Sequence, residues 1–487
     1  MTEMITSQQK INRYINGCCI LVTVMCLAWC WYGYPLFTND AECFLPTAFE
    51  IKKGNGLVNP FYNAGVTPGH QFIFYPPFFP EFIALLMFNT TAMALYAAVI
   101  AVNLLSFFCS VLILKELLKK HRFQNGNSLK AILFSIFWLF ANCSFIMPGN
   151  ARPEIVCRLL LYVLILMMLW RVRYRNVAAG IICALAMITS PVFGIYLSII
   201  ALLYLLFLNS IKPFKAALAG AALVALIFFW WYPYHLSDLL AAMQQHSKNV
   251  IFERNDQFSF RQLISYHVFS FNASFGIVLF IITVVLFSQF LVANFKQQFN
   301  KWAAICLMIL LVVLISYFTF RNLPMSYYMY VLSPVMLFIT ADYFFKLFNH
   351  KKSSFLTVLV VLVSFSFLRI SLMFFINIFH TDHSLMAVEN QLAKYKNMAG
   401  KKIGVSSSMW IFFGDDYKCS PGICYNWITP GFDYMILQQY GSGYLQPKEI
   451  AGFEIIENHF ETKPLRIGTF TISKYAPFYQ YAVYKRK

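Results

Sequence analysis

Asp40 and Glu42 stand two residues apart in Asn39-Asp40-Ala41-Glu42, directly after the first long apolar stretch of the chain. Carboxylates so placed can take a proton from an attacking hydroxyl, hold a divalent cation, or cap the helix that follows. Spacing does not choose among the three. Arg152, in Asn150-Ala151-Arg152-Pro153-Glu154, and Arg321, before Asn322-Leu323-Pro324, close apolar stretches where a guanidinium needs a partner. A phosphate would serve, because the planar fork matches it, but so would lipid headgroups reached by snorkelling. Lys52 and Lys53 read as solvated flank residues, either of which could touch a phosphate. Glu42, His70, Glu81, His235 and His246 all fall between apolar stretches. No tight ligand spacing of the His-x-x-x-His kind links them, so a divalent cation held by Glu42, His70 and His235 stays an open option. Glu154, His70, His235 and Tyr327 are the polar and aromatic positions that could meet a sugar or an acceptor. Belt tyrosines and interface helices use the same residue types.

The elements that must position these residues are helices in lipid. Of 487 residues, 59% are hydrophobic and 12% charged, against about 25% charged in a soluble domain. A span needs about 20 mainly apolar residues. Stretches 18–36, 92–114, 131–147, 155–170, 216–234, 274–293, 303–320, 327–345 and 355–379 qualify. Residues 177–208 are long enough for two spans broken at Ser190-Pro191, which makes about 11 transmembrane helices. No small-residue cleavage site follows the first stretch, so it reads as a retained anchor.

An odd number of spans puts the chain ends on opposite sides. Lys10 and Arg13, Lys115 to Lys130, Arg171, Arg173 and Arg175, Lys212 and Lys215, Lys296 and Lys301, and Lys346 to Lys352 fall on one set of connections. That asymmetry makes the N-terminus cytoplasmic and the C-terminus extracytoplasmic. It also accounts for most of the net charge of +18 without a nucleic-acid partner, since no basic patch clusters on a soluble face.

Two parts follow: a membrane part, residues 1–380, with an outer loop at 38–81, and an extracytoplasmic part, residues 381–487. In the second, short runs at 402–405, 434–437 and 479–484 alternate with a helical pattern at 384–398, which predicts a small α/β domain on the outer mouth of the membrane part. Cys419 and Cys424 flank a turn there and would pair in an oxidising compartment, while reduced surface thiols account for them as well. The other cysteines of the 12 fall mostly in predicted spans. Within the 38–81 loop, apolar residues recur at helical spacing without the length to span, which predicts one or two surface helices in the interface.

The order Asp40-x-Glu42, Ala48 with Gly54, Asn59-Pro60 and Tyr75-Pro76-Pro77, with an α/β tail, resembles the GT-C glycosyltransferases, polytopic enzymes that take sugar from a polyprenyl phosphate. The bacterial relatives of protein mannosyltransferases and the lipid A aminoarabinose transferase are of this kind. The resemblance covers the topology of the whole chain, with its motifs confined to the first third. It implies that Asp40, with Glu42 beside it, deprotonates an acceptor hydroxyl, which displaces phosphate from the anomeric carbon with inversion. Arg152, Arg321, Lys52 and Tyr75 would then meet the donor phosphate. The implied partners are an undecaprenyl-phosphate sugar, an envelope glycan, lipid A or protein acceptor, and the lipids of a bacterial cytoplasmic membrane. A transporter or flippase of lipid-linked glycans is the competing reading. It calls for ionisable residues at mid-membrane depth or interrupted, repeated helices, of which the chain shows little: Arg158 and Arg369 are the exceptions, and Arg158 lies only about a turn from the outer end of its span. A ligase of long glycans would share the topology but place its bulk in a late loop.

Overall fold

The computed structural model describes residues 2–33, 37, 41, 43–60, 71–73, 75–120, 128–144, 151–191, 193–195, 197–198, 201, 211–252, 381–396, 398–405, 409–413, 419–421, 431–438, 449–460, 465–467, 470–473 and 479–487. The four spans read between 274 and 379 lie outside them, as does Cys424. Three helices among the described residues are long and apolar enough to cross a bilayer: Gln9–Tyr32, Ala92–Lys120 and Phe214–Trp231.

The first of these belongs to α1 (Thr2–Tyr32). It ends four residues earlier than the apolar stretch because Gly33 adopts φ +72°, a left-handed cap that leaves no room for a side chain against Leu385. Two short helices follow in the 38–81 region, α2 (Leu45–Lys53) and α3 (Phe78–Leu86), the second running past its end. In α2, Pro46 occupies the first turn, where its missing N–H costs nothing, and Lys52 and Lys53 complement the dipole in the last. Gly54, at φ +89°, closes it by donating to the Glu50 and Ile51 carbonyls. α3 buries Phe79, Pro80, Ile83 and Ala84 as one stripe.

α4 (Ala92–Lys120) starts at Thr91, whose hydroxyl accepts the Ala94 N–H at 3.2 Å. Then come α5 (Ser128–Ser144), α6 (Glu154–Leu169), α7 (Arg175–Met187), α8 (Ile211–Trp231) and α9 (Leu236–Phe252). α7 and α8 meet backbone to backbone. A Cβ on Gly180 would overlap the Ala217 carbonyl oxygen, and one on Gly220 the Val177 carbonyl oxygen. Close approach through small residues is how helices associate where water gives no drive. Away from α7, Leu218, Leu223, Leu226, Ile227, Phe229 and Trp230 of α8 stay exposed, an apolar surface suited to lipid.

In the C-terminal stretch, α10 (Leu385–Lys396) precedes β1 (Ile403–Val405), β2 (Cys419–Pro421), β3 (Tyr434–Leu437), β4 (Phe453–Asn458), β5 (Leu465–Ile467), β6 (Phe470–Ser473) and β7 (Ala482–Arg486). A mixed five-stranded sheet has the order β2-β1-β3-β7-β4, parallel at β1 and antiparallel at β7, and β5 pairs with β6 separately. Phe432, Met435, Phe453, Phe460, Ala482 and Tyr484 form its core.

Two compact units result. One comprises 1–22, 102–145 and 153–370; the other comprises 23–101, 146–152 and 371–487. The second therefore joins the 38–81 region, the turn carrying Arg152 and the C-terminal α/β stretch. Its seams are specific: Phe49 meets Trp410 edge to face at 5.7 Å, the hydroxyls of Tyr96 and Tyr479 share a hydrogen bond, and the Phe37 ring stacks on Tyr96 at 4.1 Å.

Candidate functional site

The segment that continues Asp40-Ala41-Glu42 enters α2 under tight restraint. The Phe44 N–H donates to the Ala41 carbonyl at 3.1 Å, closing one turn. Phe44 is buried, and its ring meets Tyr75, Phe79 and Phe72 in edge contacts at 5.1, 5.9 and 6.5 Å. Asn59, fully buried, donates from Nδ2 to the Cys43 carbonyl at 3.0 Å. A bridge pairs Val58 with Gln71, and the Phe72 N–H donates to the Leu57 carbonyl at 2.9 Å.

Asp40, Glu42, His70, Arg321 and Tyr327 lie outside the described residues. Of the rest, Lys52, Tyr75 and Arg152 belong to one unit, and Glu154 and His235 to the other. Lys52 is exposed in the last turn of α2, Arg152 is half-buried, and the Tyr75 ring packs on Phe44. His235 is exposed between α8 and α9, where its carbonyl accepts the Asp238 N–H at 3.0 Å. Among the described residues no three His, Cys, Asp or Glu side chains converge as metal ligands.

Around this frame are carboxyls of opposite character. Glu50 is buried in α2 and satisfied by Asn55 Nδ2 at 2.7 Å and Lys53 Nζ at 3.6 Å. Glu81 is half-buried in the first turn of α3, and burial pushes its carboxyl up to about 8. Residue type and loop position single out Glu81, but its apolar setting depends on how α3 folds.

In the other unit, Glu154 opens α6 at the favourable end of the helix dipole. One turn on, Arg158 is buried and donates from Nη2 to Asn103 Oδ1 of α4 at 2.6 Å. The Tyr162 hydroxyl donates to Asn142 Oδ1 of α5, and Asn142 donates to the Trp138 carbonyl at 2.8 Å. Sequence inspection flags Arg158 as a charge inside a span. Its partner, 55 residues away in the chain, carries no local signal.

Compared with known proteins, the chain matches no family model and no curated sequence.

Proposed function

We propose that the chain is an inverting glycosyltransferase of a bacterial cytoplasmic membrane, moving sugar from a polyprenyl phosphate to an extracytoplasmic acceptor. In this reading the chain crosses the membrane about eleven times, with its N-terminus cytoplasmic and its C-terminus outside. The observation that supports it best is the composition of the second unit. The residues that carry the Asp40-x-Glu42 segment into α2, Arg152 and the α/β stretch belong to one compact unit.

Asp40 accepts the acceptor hydroxyl proton as the oxygen attacks the anomeric carbon, and the sugar–phosphate bond breaks with the electron pair leaving on phosphate. A departing phosphate needs cations where a glycosidase would use a second carboxylic acid, and Arg152, with Lys52, supplies them.

The test is transfer of labelled sugar from polyprenyl phosphate in membranes carrying Asp40→Asn protein. Loss of transfer with normal insertion supports the reading; normal transfer removes Asp40 from the mechanism. Arg152→Ala should impair use of the donor more than of the acceptor.

Arg158 favours a second reading, since a buried intramembrane charge marks a transport pathway as readily as a structural network. A flippase would keep moving lipid-linked glycan across vesicles after Asp40→Asn and lose that activity on Arg158→Gln.

A further inference from the structure

We propose that α3 docks on the bilayer: its outward stripe, Phe78, Glu81, Phe82 and Leu85, with Phe88 just beyond, lies on the acyl chains of the leaflet in which α4 begins. The inference needs α4 to cross a membrane; it does not need the chain to transfer sugar.

α3 carries no Lys or Arg, and Glu81 is its single ionisable residue. A helix that is apolar all round is covered all round, by protein or by lipid. Protein covers one side of this one. Phe79, Ile83 and Ala84, with Met87 after the last turn, are buried, and α2 packs on α3. On the other side Leu85 is 76% exposed and Phe88 66%, while Phe78 and Phe82, a turn apart, stack half-buried with ring centroids at 5.8 Å. Single exposed apolar side chains are ordinary on a protein surface, but a contiguous stripe of them marks a docking face.

The covalent path names the occupant. Phe88 stands four residues before Ala92, where α4, long and apolar enough to cross a bilayer, begins. Asn89 and Thr91 fix the connection: Asn89 Oδ1 accepts the Thr91 N–H at 3.1 Å and the Thr91 hydroxyl at 2.7 Å. Four residues reach at most about 14 Å, so the bare stripe cannot leave the neighbourhood of the boundary that α4 enters.

Glu81 is compatible with that face. Burial lifts its carboxyl to about 8, so at neutral pH it meets apolar surroundings mainly as the uncharged acid. The charged groups of the adjoining α2 are engaged or exposed: Glu50 pairs with Asn55 and Lys53, and Lys52 is exposed. The sequence of α3 is apolar on every side, so only its packing on α2 shows which stripe stays bare.

The experiment uses the full chain in vesicles of phosphatidylethanolamine and phosphatidylglycerol without polyprenyl phosphate. Lipid-soluble dicyclohexylcarbodiimide and a water-soluble carbodiimide are added to separate samples, and the peptide containing Glu81 is read by mass spectrometry. A carbodiimide adds to a protonated carboxyl. The lipid-soluble reagent is expected to modify Glu81 in preference to the water-soluble one, at a rate that falls as pH rises through about 8. A photoreactive benzophenone residue in place of Leu85 or of Phe88 should give phospholipid adducts on illumination. Glu81 modified as readily from water, or adducts to a second copy of the chain instead of to phospholipid, overturns the proposal. If the benzophenone variants fail to insert, the two carbodiimides, used on the unaltered chain, still decide. None of these readouts involves sugar transfer, so normal transfer by Asp40→Asn protein would overturn the functional reading and leave this proposal standing.

Discussion

Arg158 and Asn103 are each 3% exposed, and the guanidinium Nη2 donates to the amide Oδ1 over 2.6 Å. The bond ties α6 to α4. A hydrogen bond to a charged group contributes about 2 kcal/mol, against about 0.6 kcal/mol for a typical neutral bond between helices in lipid. Asn103→Ala should therefore cost roughly 2 kcal/mol of stability, read as a lowered unfolding temperature in detergent. A loss no larger than that of a neutral pair would show that other groups carry the Arg158 charge.

The contact of α7 with α8 depends on the absence of two side chains. Gly180→Leu and Gly220→Leu each drive a side chain into a facing carbonyl and must separate the helices. Both should destabilise strongly. Gly17→Leu, where a Cβ meets nothing within 4 Å, should not. Unfolding by heat or by graded denaturing detergent distinguishes them.

Glu81 gives a pH signature with a definite sign. Folding raises its carboxyl from 4.5 to about 8 by burial, so between those values the folded protein holds a proton that the unfolded chain has released. Its contribution to stability falls as pH rises through that window. Glu81→Gln removes the titration, so the variant should match wild type near pH 4.5 and exceed it by a growing margin toward pH 8. An unfolding-temperature difference that stays flat with pH would contradict this.

Glu457 predicts the reverse. Burial alone would raise its carboxyl, but hydrogen bonds from Lys394, Tyr395 and His459, with the Lys394 charge, outweigh it and hold the carboxyl below 4.5. Tyr395 reaches Oε1 at 2.5 Å, and His459 faces Oε2 at 3.3 Å. Stability from this cluster is present above 4.5 and lost as pH falls through the lowered value. Glu457→Gln should weaken the docking of α10 on β4 at neutral pH and flatten the acid limb, measured by amide exchange of α10 against pH.

Where pattern and local chemistry agree, the sequence reads correctly. The helical periodicity at 384–398 contains α10, and the runs at 402–405 and 434–437 contain β1 and β3. The break read at Ser190-Pro191 lies three residues past the end of α7. Disagreements trace to contacts between distant residues. The run at 479–484 places its strand too early, because Tyr479 is spent on bonding Tyr96 and packing on Phe412, and the ladder starts at Ala482. The first helix stops at Tyr32 because Gly33 seats against Leu385. At the candidate site, residue types single out Asp40 and Arg152, and the resemblance adds Tyr75. That the Tyr75 ring grips Phe44, and that Asn59 lies fully buried on Cys43, follows only from the folded path of the loop.

The bridge between Val58 and Gln71 holds together the two described ends that flank residues 61–70 in the chain. Loop-closure entropy grows only logarithmically, so doubling that insert would cost about 0.6 kcal/mol. A graft of a foreign sequence between Pro60 and Gln71 would thus leave α2 and α3 undisturbed.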